Sequence, residues 1–389
     1  MKVGVLTYHN NGNKGAILQA YGLCKVLEQQ TQYSQVEIVN YRTLSKEIKR
    51  IRRLAINKMS SDIPANVKDY VKCEIFVNNY MPLSSKLILS NNHTKSIQKI
   101  EALDYDTLVV GSDEIWKIAT KNTGFRRLLA PPRPFPSPYF LDPSLSAMKV
   151  SYAASANTTR FDKLTADQIE TITQHLSSFD HISVRDSYTE HSLLKLGIGP
   201  IYRVPDPTIM TEIPSMTVGD ILAKNGVNPN RPILGIHTAR SPLFKKIADR
   251  YRKHGFQIVS PRHSPYADIN LQSKVNPFEY YSLYDHFDMV VTSSLHSTIF
   301  SLKNTTPFVT VDVSKDYRTH ESKTHSLLDD FSMLDRHYDA VNDTGEELLN
   351  RLEEYEKPLD ERHISERIAS LRSDGLDFFS KIDPLNNEN

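Results

Sequence analysis

Residues 287–308 read FDMVVTSSLHSTIFSLKNTTPF, and this stretch sets how the rest of the chain is parsed. Residues 287–291 are short, apolar and β-branched at their end, which suits a buried strand. Ile299, Phe300 and Leu302 then recur at spacings that suit a helix packed on a sheet. Between them Thr292, Ser293, Ser294, Ser297 and Thr298 surround Leu295 and a single His296. A strand leading through a hydroxyl-rich turn into a helix is the repeating unit of a parallel α/β sheet. Such a turn also gathers hydroxyls and backbone N–H groups at a helix start, where an anion is favoured. The plainer reading of the same residues is a serine N-cap followed by a surface histidine at an exposed turn.

The same alternation runs through the whole chain. Strands are expected at residues 3–7, 36–41, 106–110, 149–153, 181–184 and 201–204, with a polar loop, HNNGNKG, and a helix over 16–29 after the first. The pattern restarts with strands at 233–237 and 256–259, the opening strand, and 308–311. Alternating strands and helices imply mostly parallel sheets covered on both faces. Two successive α/β units predict two Rossmann-like domains facing each other across a cleft. VPDPTIM and NGVNPNRP interrupt the periodicity between 207 and 232. The expected division is 1–207, 208–344, and charged C-terminal helices over 345–389 that pack back on the N-terminal domain. The proline run APPRPFPSP, residues 130–138, is too proline-rich for helix or central strand and reads as a surface loop or a lid.

Composition narrows the class of function. A chain of 389 residues with net charge +1 gives no electrostatic reason to bind nucleic acid. Its two cysteines, Cys24 and Cys73, form neither a metal-ligand spacing nor a disulfide framework. No apolar stretch approaches the ~20 residues of a membrane span, and the N-terminus lacks a signal-peptide core. The expectation is a soluble cytoplasmic protein without a metal. The basic run KEIKRIRR, residues 46–53, reads as a solvated helix face, with contact to an anionic membrane surface as the sharper alternative.

In open α/β sheets, ligands gather where strands end and helices begin. The loop after the first strand holds His9, Asn10 and Asn13 in a glycine-containing segment that is neither GxGxxG nor a P-loop. Arg262 and His263 follow the strand at 256–259, and the candidate set at the later strand ends is Asp113, Arg185, Arg240 and finally His296. Taken singly, Asp113 reads as a helix N-cap and Arg185 as an ion-pair partner of Asp186 or Glu190. Together they describe a site for a small anion beside one histidine able to move a proton near neutral pH.

Several segments resemble the polysaccharide pyruvyl transferase family in order and spacing. They are LTYHNNGNKGAILQAYGL, YDTLVVGSDEIWK, YFLDPSLSAMKVSYAAS, FDHISVRDSYTEHSLLKLG, VPDPTIM and HFDMVVTSSLHSTIFSLKNTTPFVTVD. The resemblance implies a fold similar to the GT-B glycosyltransferases. It implies transfer of the enolpyruvyl group of phosphoenolpyruvate onto two hydroxyls of one sugar, giving a cyclic ketal and free phosphate. By the family's motifs the essential histidine carries over to His296 and the arginine of the VRD turn to Arg185, with Asp113 in GSDEIW beside them. Ser293, Ser294, Leu295, Ser297, Thr298 and Arg240 are expected to bind the donor, and His9, Asn10 and Asn13 to line the acceptor side. Some relatives place an arginine directly before the Leu-His pair, where this chain has Ser294. The donor's cation is then one of Arg240, Arg262, Arg318 and Lys323. No cofactor beyond phosphoenolpyruvate as co-substrate is implied, and the acceptor is a sugar or lipid-linked oligosaccharide at the inner face of the membrane. The rival readings are a glycosyltransferase of similar architecture using a nucleotide sugar, and a catalytically inactive glycan-binding homologue.

Overall fold

The computed structural model describes residues 1–10, 12–48, 63–118, 135–156, 159–318, 320–341 and 345–382. Most of the basic run at 46–53, most of the proline run at 130–138 and the side chain of Arg318 lie outside the described residues. The chain divides into two compact units. One takes in Met1–Val67, Glu74–Thr211 and Leu371–Asn389, the other Lys68–Cys73 and Glu212–Ser370. Among the described residues no helix is long and apolar enough to cross a membrane.

In the first unit the strands are β1 (Lys2–Leu6), β2 (Gln35–Ile38), β3 (Tyr41–Arg42), β4 (Ile88–Leu89), β5 (Thr107–Asp113), β6 (Met148–Ala154), β7 (His181–Val184) and β8 (Ile201–Arg203). Six of them form one sheet in the order β2-β1-β5-β6-β7-β8, while β3 and β4 pair separately. Every pairing in the larger sheet is parallel. The strands are apolar on both faces because helices cover both sides, so alternation is lost and burial is nearly continuous along β1 and β5. At the end of β5 the backbone turns at Gly111, with φ +130°, where an added Cβ would lie 2.0 Å from the carbonyl oxygen of Tyr152. Only glycine fits there.

The second unit holds β9 (Ile233–His237), β10 (Gln257–Ser260), β11 (Ile269–Asn270), β12 (Met289–Thr292), β13 (Phe308–Asp312) and β14 (His337–Asp339). They form a six-stranded sheet in the order β11-β10-β9-β12-β13-β14. It too is parallel throughout. Its core packs Leu234, Ile236, Val291 and Val309 of the sheet against Phe244, Ile247 and Leu352 from helices.

Both sheets share a topological consequence. Chain order reverses between β1 and β5 in the first and between β9 and β12 in the second. At such a switch point the loops leaving the two central strands diverge to opposite faces, and a crevice opens at their carboxyl ends. The loop carrying His9 follows β1, and Asp113 is the last residue of β5. His237 ends β9, and the turn of the opening stretch follows β12.

The last described segment belongs to the first unit. Phe379 stacks on Tyr152 of β6 at 4.9 Å between ring centroids, with Phe378 against Tyr202 of β8. Both phenylalanines are fully buried.

Candidate active site

In the second unit the helix Leu295–Lys303 starts where β12 ends. Ser294 occupies its N-cap position without a side-chain capping bond, so the first-turn N–H groups lack the usual side-chain acceptor. The Ser294 backbone N–H donates to Thr292 Oγ1 at 3.0 Å. Its half-buried hydroxyl makes no hydrogen bond among the described residues. The turn is tied to the neighbouring strand: Thr292 Oγ1 and the Ser293 N–H both donate to the carbonyl of His237. The Ala239 N–H donates to Ser293 Oγ at 2.9 Å.

His296 opens the first turn of this helix. It is buried, 7 % exposed, and its ring tilts over Phe300 at 6.1 Å between centroids. The exposed turn expected from sequence is therefore an interior one. Leu295, beside it, is also buried. Ser297 and Thr298 are fully buried, and their hydroxyls serve an internal network. Thr298 Oγ1 meets Thr310 Oγ1 at 2.8 Å. Ser297 Oγ lies 2.5 Å from His237 Nδ1 and 2.5 Å from Tyr284 Oη.

His237 is the residue that the sequence reading passed over. It ends β9 directly opposite Thr292 in the register of β12. Tyr280 Oη also approaches its Nδ1, at 3.2 Å. Burial raises the pKa of both tyrosines, so Tyr280 and Tyr284 are neutral O–H donors near pH 7. The hydroxyls of Ser297, Tyr280 and Tyr284 thus form one network around His237 Nδ1. Burial, then the charges of Arg262 and His296, hold the His237 pKa well below the ordinary histidine value. His237 is thus a neutral histidine with Nδ1 fixed from behind.

Arg262 follows the end of β10, and its backbone N–H donates to Ser260 Oγ. Its charge bears on His237, Tyr280 and Tyr284 alike. Among the described residues its guanidinium has no carboxylate partner and no hydrogen bond. Arg240 is exposed and also lacks a carboxylate partner among them, but it perturbs none of these groups. Lys323 lies farther along, at the start of the helix Lys323–Asp330.

The strand ends of the first unit carry a different arrangement. Arg185, whose side chain is 4 % exposed, pairs with Asp206 at 3.0 Å and stands 3.8 Å from Asp113. Asp186 is the N-cap of the helix Ser187–Lys195, accepting from the N–H and Oγ1 of Thr189, so the arginine's partners are more distant in sequence. Burial alone would lower the guanidinium's pKa, but Asp206, Asp113, Asp186 and Glu114 outweigh it and raise it. Two of its nitrogens, Nε and one terminal nitrogen, have no hydrogen-bond acceptor among the described residues. Asp206 also accepts from Gln19 Nε2 at 2.6 Å and caps the short helix Pro207–Met210. Asp113 begins no helix: it ends β5 with φ +82° and accepts from the Glu114 N–H.

His9 is buried, with Nδ1 3.2 Å from the Thr7 carbonyl and Nε2 3.3 Å from Asn40 Oδ1. Burial lowers its pKa against these hydrogen bonds. It lines a small recess, open to solvent, with Tyr8, Asn10, Tyr41, Lys46 and Tyr139. Tyr8 and Tyr139 meet edge to face at 4.9 Å, and Lys46 Nζ lies 3.3 Å from the centre of the Tyr8 ring. Asn13 is the N-cap of the helix Lys14–Glu28 by backbone position, without a side-chain capping bond. Trp116 is a core residue, stacked on Phe140 and donating to the Tyr139 carbonyl.

The family profile described as polysaccharide pyruvyl transferase matches residues 13–315. The chain belongs to this family. It is accordingly a transferase with a sugar or polysaccharide acceptor. Solved structures agree on the fold. UDP-GlcNAc 2-epimerase from Neisseria meningitidis, bound to UDP-GlcNAc, is similar with a TM-score of 0.53 and 9% identity, over 98% of this chain and 99% of that one. UDP-GlcNAc 2-epimerase from Methanocaldococcus jannaschii is similar with a TM-score of 0.51 and 13% identity, over 91% and 92%. These likenesses establish a GT-B-like fold. Comparison with curated proteins gave no significant match.

Proposed function

We propose that this transferase moves the enolpyruvyl group of phosphoenolpyruvate onto two hydroxyls of one sugar residue, in a polysaccharide or its lipid-linked precursor, and releases phosphate. The observation that carries this reading is the cluster at the switch point of the second sheet. It gathers His296, a neutral His237, Arg262 without a carboxylate partner among the described residues, and an uncapped helix start at the ends of β10, β9 and β12. Phosphoenolpyruvate carries a phosphate and a carboxylate, and a lone guanidinium beside a helix N-terminus is the complement such a molecule needs. Arg262 is the cation that takes the place of the arginine some relatives have at position 294. His237 donates Nε2–H to the donor, and His296 moves the proton.

Ketal formation requires a proton on the donor's methylene carbon, loss of a proton from each sugar hydroxyl, and stabilisation of the departing phosphate. His296 is the group in this cluster suited to the proton transfers, and Arg262 with the helix start to the phosphate. The first unit supplies the acceptor side. Its recess of Tyr8, Tyr41 and Tyr139 offers apolar ring faces to a sugar, while Asn10 and Lys46 offer hydrogen bonds. Arg185 holds Asp113 and Asp206 at the adjoining strand ends. Residues 46–53 add basic charge for contact with a membrane surface bearing a lipid-linked acceptor.

The test is phosphate release from phosphoenolpyruvate against a panel of glycosides and lipid-linked sugars. Acceptor-dependent release supports the reading. Turnover of a nucleotide sugar with none of phosphoenolpyruvate would replace it with the glycosyltransferase reading.

A further inference from the structure

Away from the strand ends described above, the first unit brings His93, Asp142 and His175 together, and one donor atom from each lies within 4.8 Å of the other two. His93 opens the helix His93–Glu101, His175 lies in the last turn of the helix Ala166–Leu176, and Asp142 lies in the segment between the turn Pro138–Phe140 and β6. Asp142 leads into the start of β6 and the helix of His175 leads into the start of β7, so both belong to the opposite end of the sheet from Asp113. We propose that these three residues form a binding site for a divalent transition metal of the zinc type.

Two imidazoles and one carboxylate are a ligand set suited to zinc or cobalt, with an open position left for water. His93 Nε2 is already 3.2 Å from Asp142 Oδ2. Zn–N and Zn–O bonds of roughly 2.0–2.2 Å place tetrahedral ligands about 3.3–3.5 Å apart. That pair is close to the spacing as it stands, and the His175 ligand atom lies within 4.8 Å of both. Its ring faces that of His93 edge-on at 5.5 Å.

Two details go beyond proximity. His175 Nδ1 donates to the Leu141 carbonyl, which puts the lone pair on Nε2. This is the outer hydrogen bond that fixes a metal-binding histidine's tautomer and orientation. His93 Nδ1 is buried and closes no hydrogen bond of normal geometry among the described residues, with the Pro136 backbone nearby. A bound ion would add to the Leu141–His175, Asp142–His93 and Ser146–Glu101 contacts that tie the chain just before β6 to two helices.

The experiment uses the full chain, free of any histidine tag and dialysed against a chelator, titrated with Zn²⁺ and separately with Co²⁺. The site predicts about one equivalent bound at micromolar or tighter affinity, visible Co²⁺ d–d bands of a low-coordinate histidine site, and a higher Tm in Zn²⁺. His93→Gln and His175→Gln should each weaken binding by about tenfold or more. Binding that is absent from the wild type at about 100 µM metal, or unchanged from wild type in both variants, overturns the proposal. If the variants fail to fold, the wild-type Co²⁺ spectrum decides, and octahedral aqua-type bands alone would refute it.

Discussion

His237 and Ser297 are joined by a hydrogen bond of 2.5 Å that links the end of β9 to the first turn of the helix carrying His296. Because Ser297 also meets Tyr284 at 2.5 Å, the imidazole is held by a chain of buried hydroxyls. Ser297→Ala should therefore free the His237 ring while leaving His296 and Arg262 in place. The expected outcome is a loss of roughly ten- to a hundredfold in kcat/KM for phosphoenolpyruvate, with acceptor KM unchanged. One lost hydrogen bond to a buried neutral group, worth about 1–3 kcal/mol, sets that range. Unaltered donor kinetics would remove His237 from the donor site.

His296→Gln keeps a polar side chain of similar volume in the buried site. Phosphate release should fall by about 10²–10⁴, the usual contribution of a positioned proton-transfer group. Thermal unfolding should stay close to wild type. A large loss of Tm with a modest loss of kcat would instead make His296 a packing residue against Phe300.

Arg262→Met should raise the KM for phosphoenolpyruvate by about tenfold or more, as charge-assisted hydrogen bonds to a charged group are worth about 1.5–3 kcal/mol. Arg262→Lys should recover part of the loss, and Arg240→Met should change little. Equal effects at Arg240 and Arg262 would show that the donor's charge is neutralised diffusely rather than at one strand end.

Arg185 is buried against two carboxylates, so its removal leaves negative charges uncompensated. Arg185→Met should destabilise the chain by about 3–5 kcal/mol in urea unfolding, and the companion change Asp206→Asn should cost less because the guanidinium keeps Asp113 nearby. A stability loss below about 1 kcal/mol for Arg185→Met would mean that the pair is solvated.

Stability should fall on the acid side of neutrality. Burial, reinforced by Arg262 and His296, lowers the His237 pKa, and burial lowers that of His9 as well. The unfolded chain then binds protons first. The histidine contribution is intact above the unfolded value of about 6.5 and is lost as pH falls below it, by up to about 1.4 kcal/mol per unit for each histidine. Urea midpoints measured from pH 7 to pH 5 should drop, and His237→Gln should flatten part of that drop. Identical profiles for the two proteins would contradict the assignment.

The alternation of strands and helices was legible from residues 287–308 outward, because parallel strands buried on both faces are written as short apolar runs. The neighbours of those strands were not. Asp206 sits in VPDP, which reads as a domain boundary, and nothing local announces that it pairs with Arg185. That partnership exists because β7 and β8 are adjacent in the sheet. His237 reads as the polar end of ILGIH until β9 is placed beside β12. The hydroxyls of Ser297 and Thr298 read as ligand donors in a polar turn. On the helix they fall on the face turned to β13 and to the tyrosines, where internal partners take them. Asp113 looks like a helix cap because it follows Gly-Ser, yet the strand continues through it.

The rings of Phe378 and Phe379 complete the packing around Tyr152 and Tyr202, although nearly the whole second unit is encoded between them. During synthesis a ribosome has finished the second unit before the last aromatic layer of the first one emerges. The first unit waits, with Tyr152 and Tyr202 short of these aromatic partners, for a segment of its own made after the second unit. Maturation strictly unit by unit from N to C is thereby closed off to this chain.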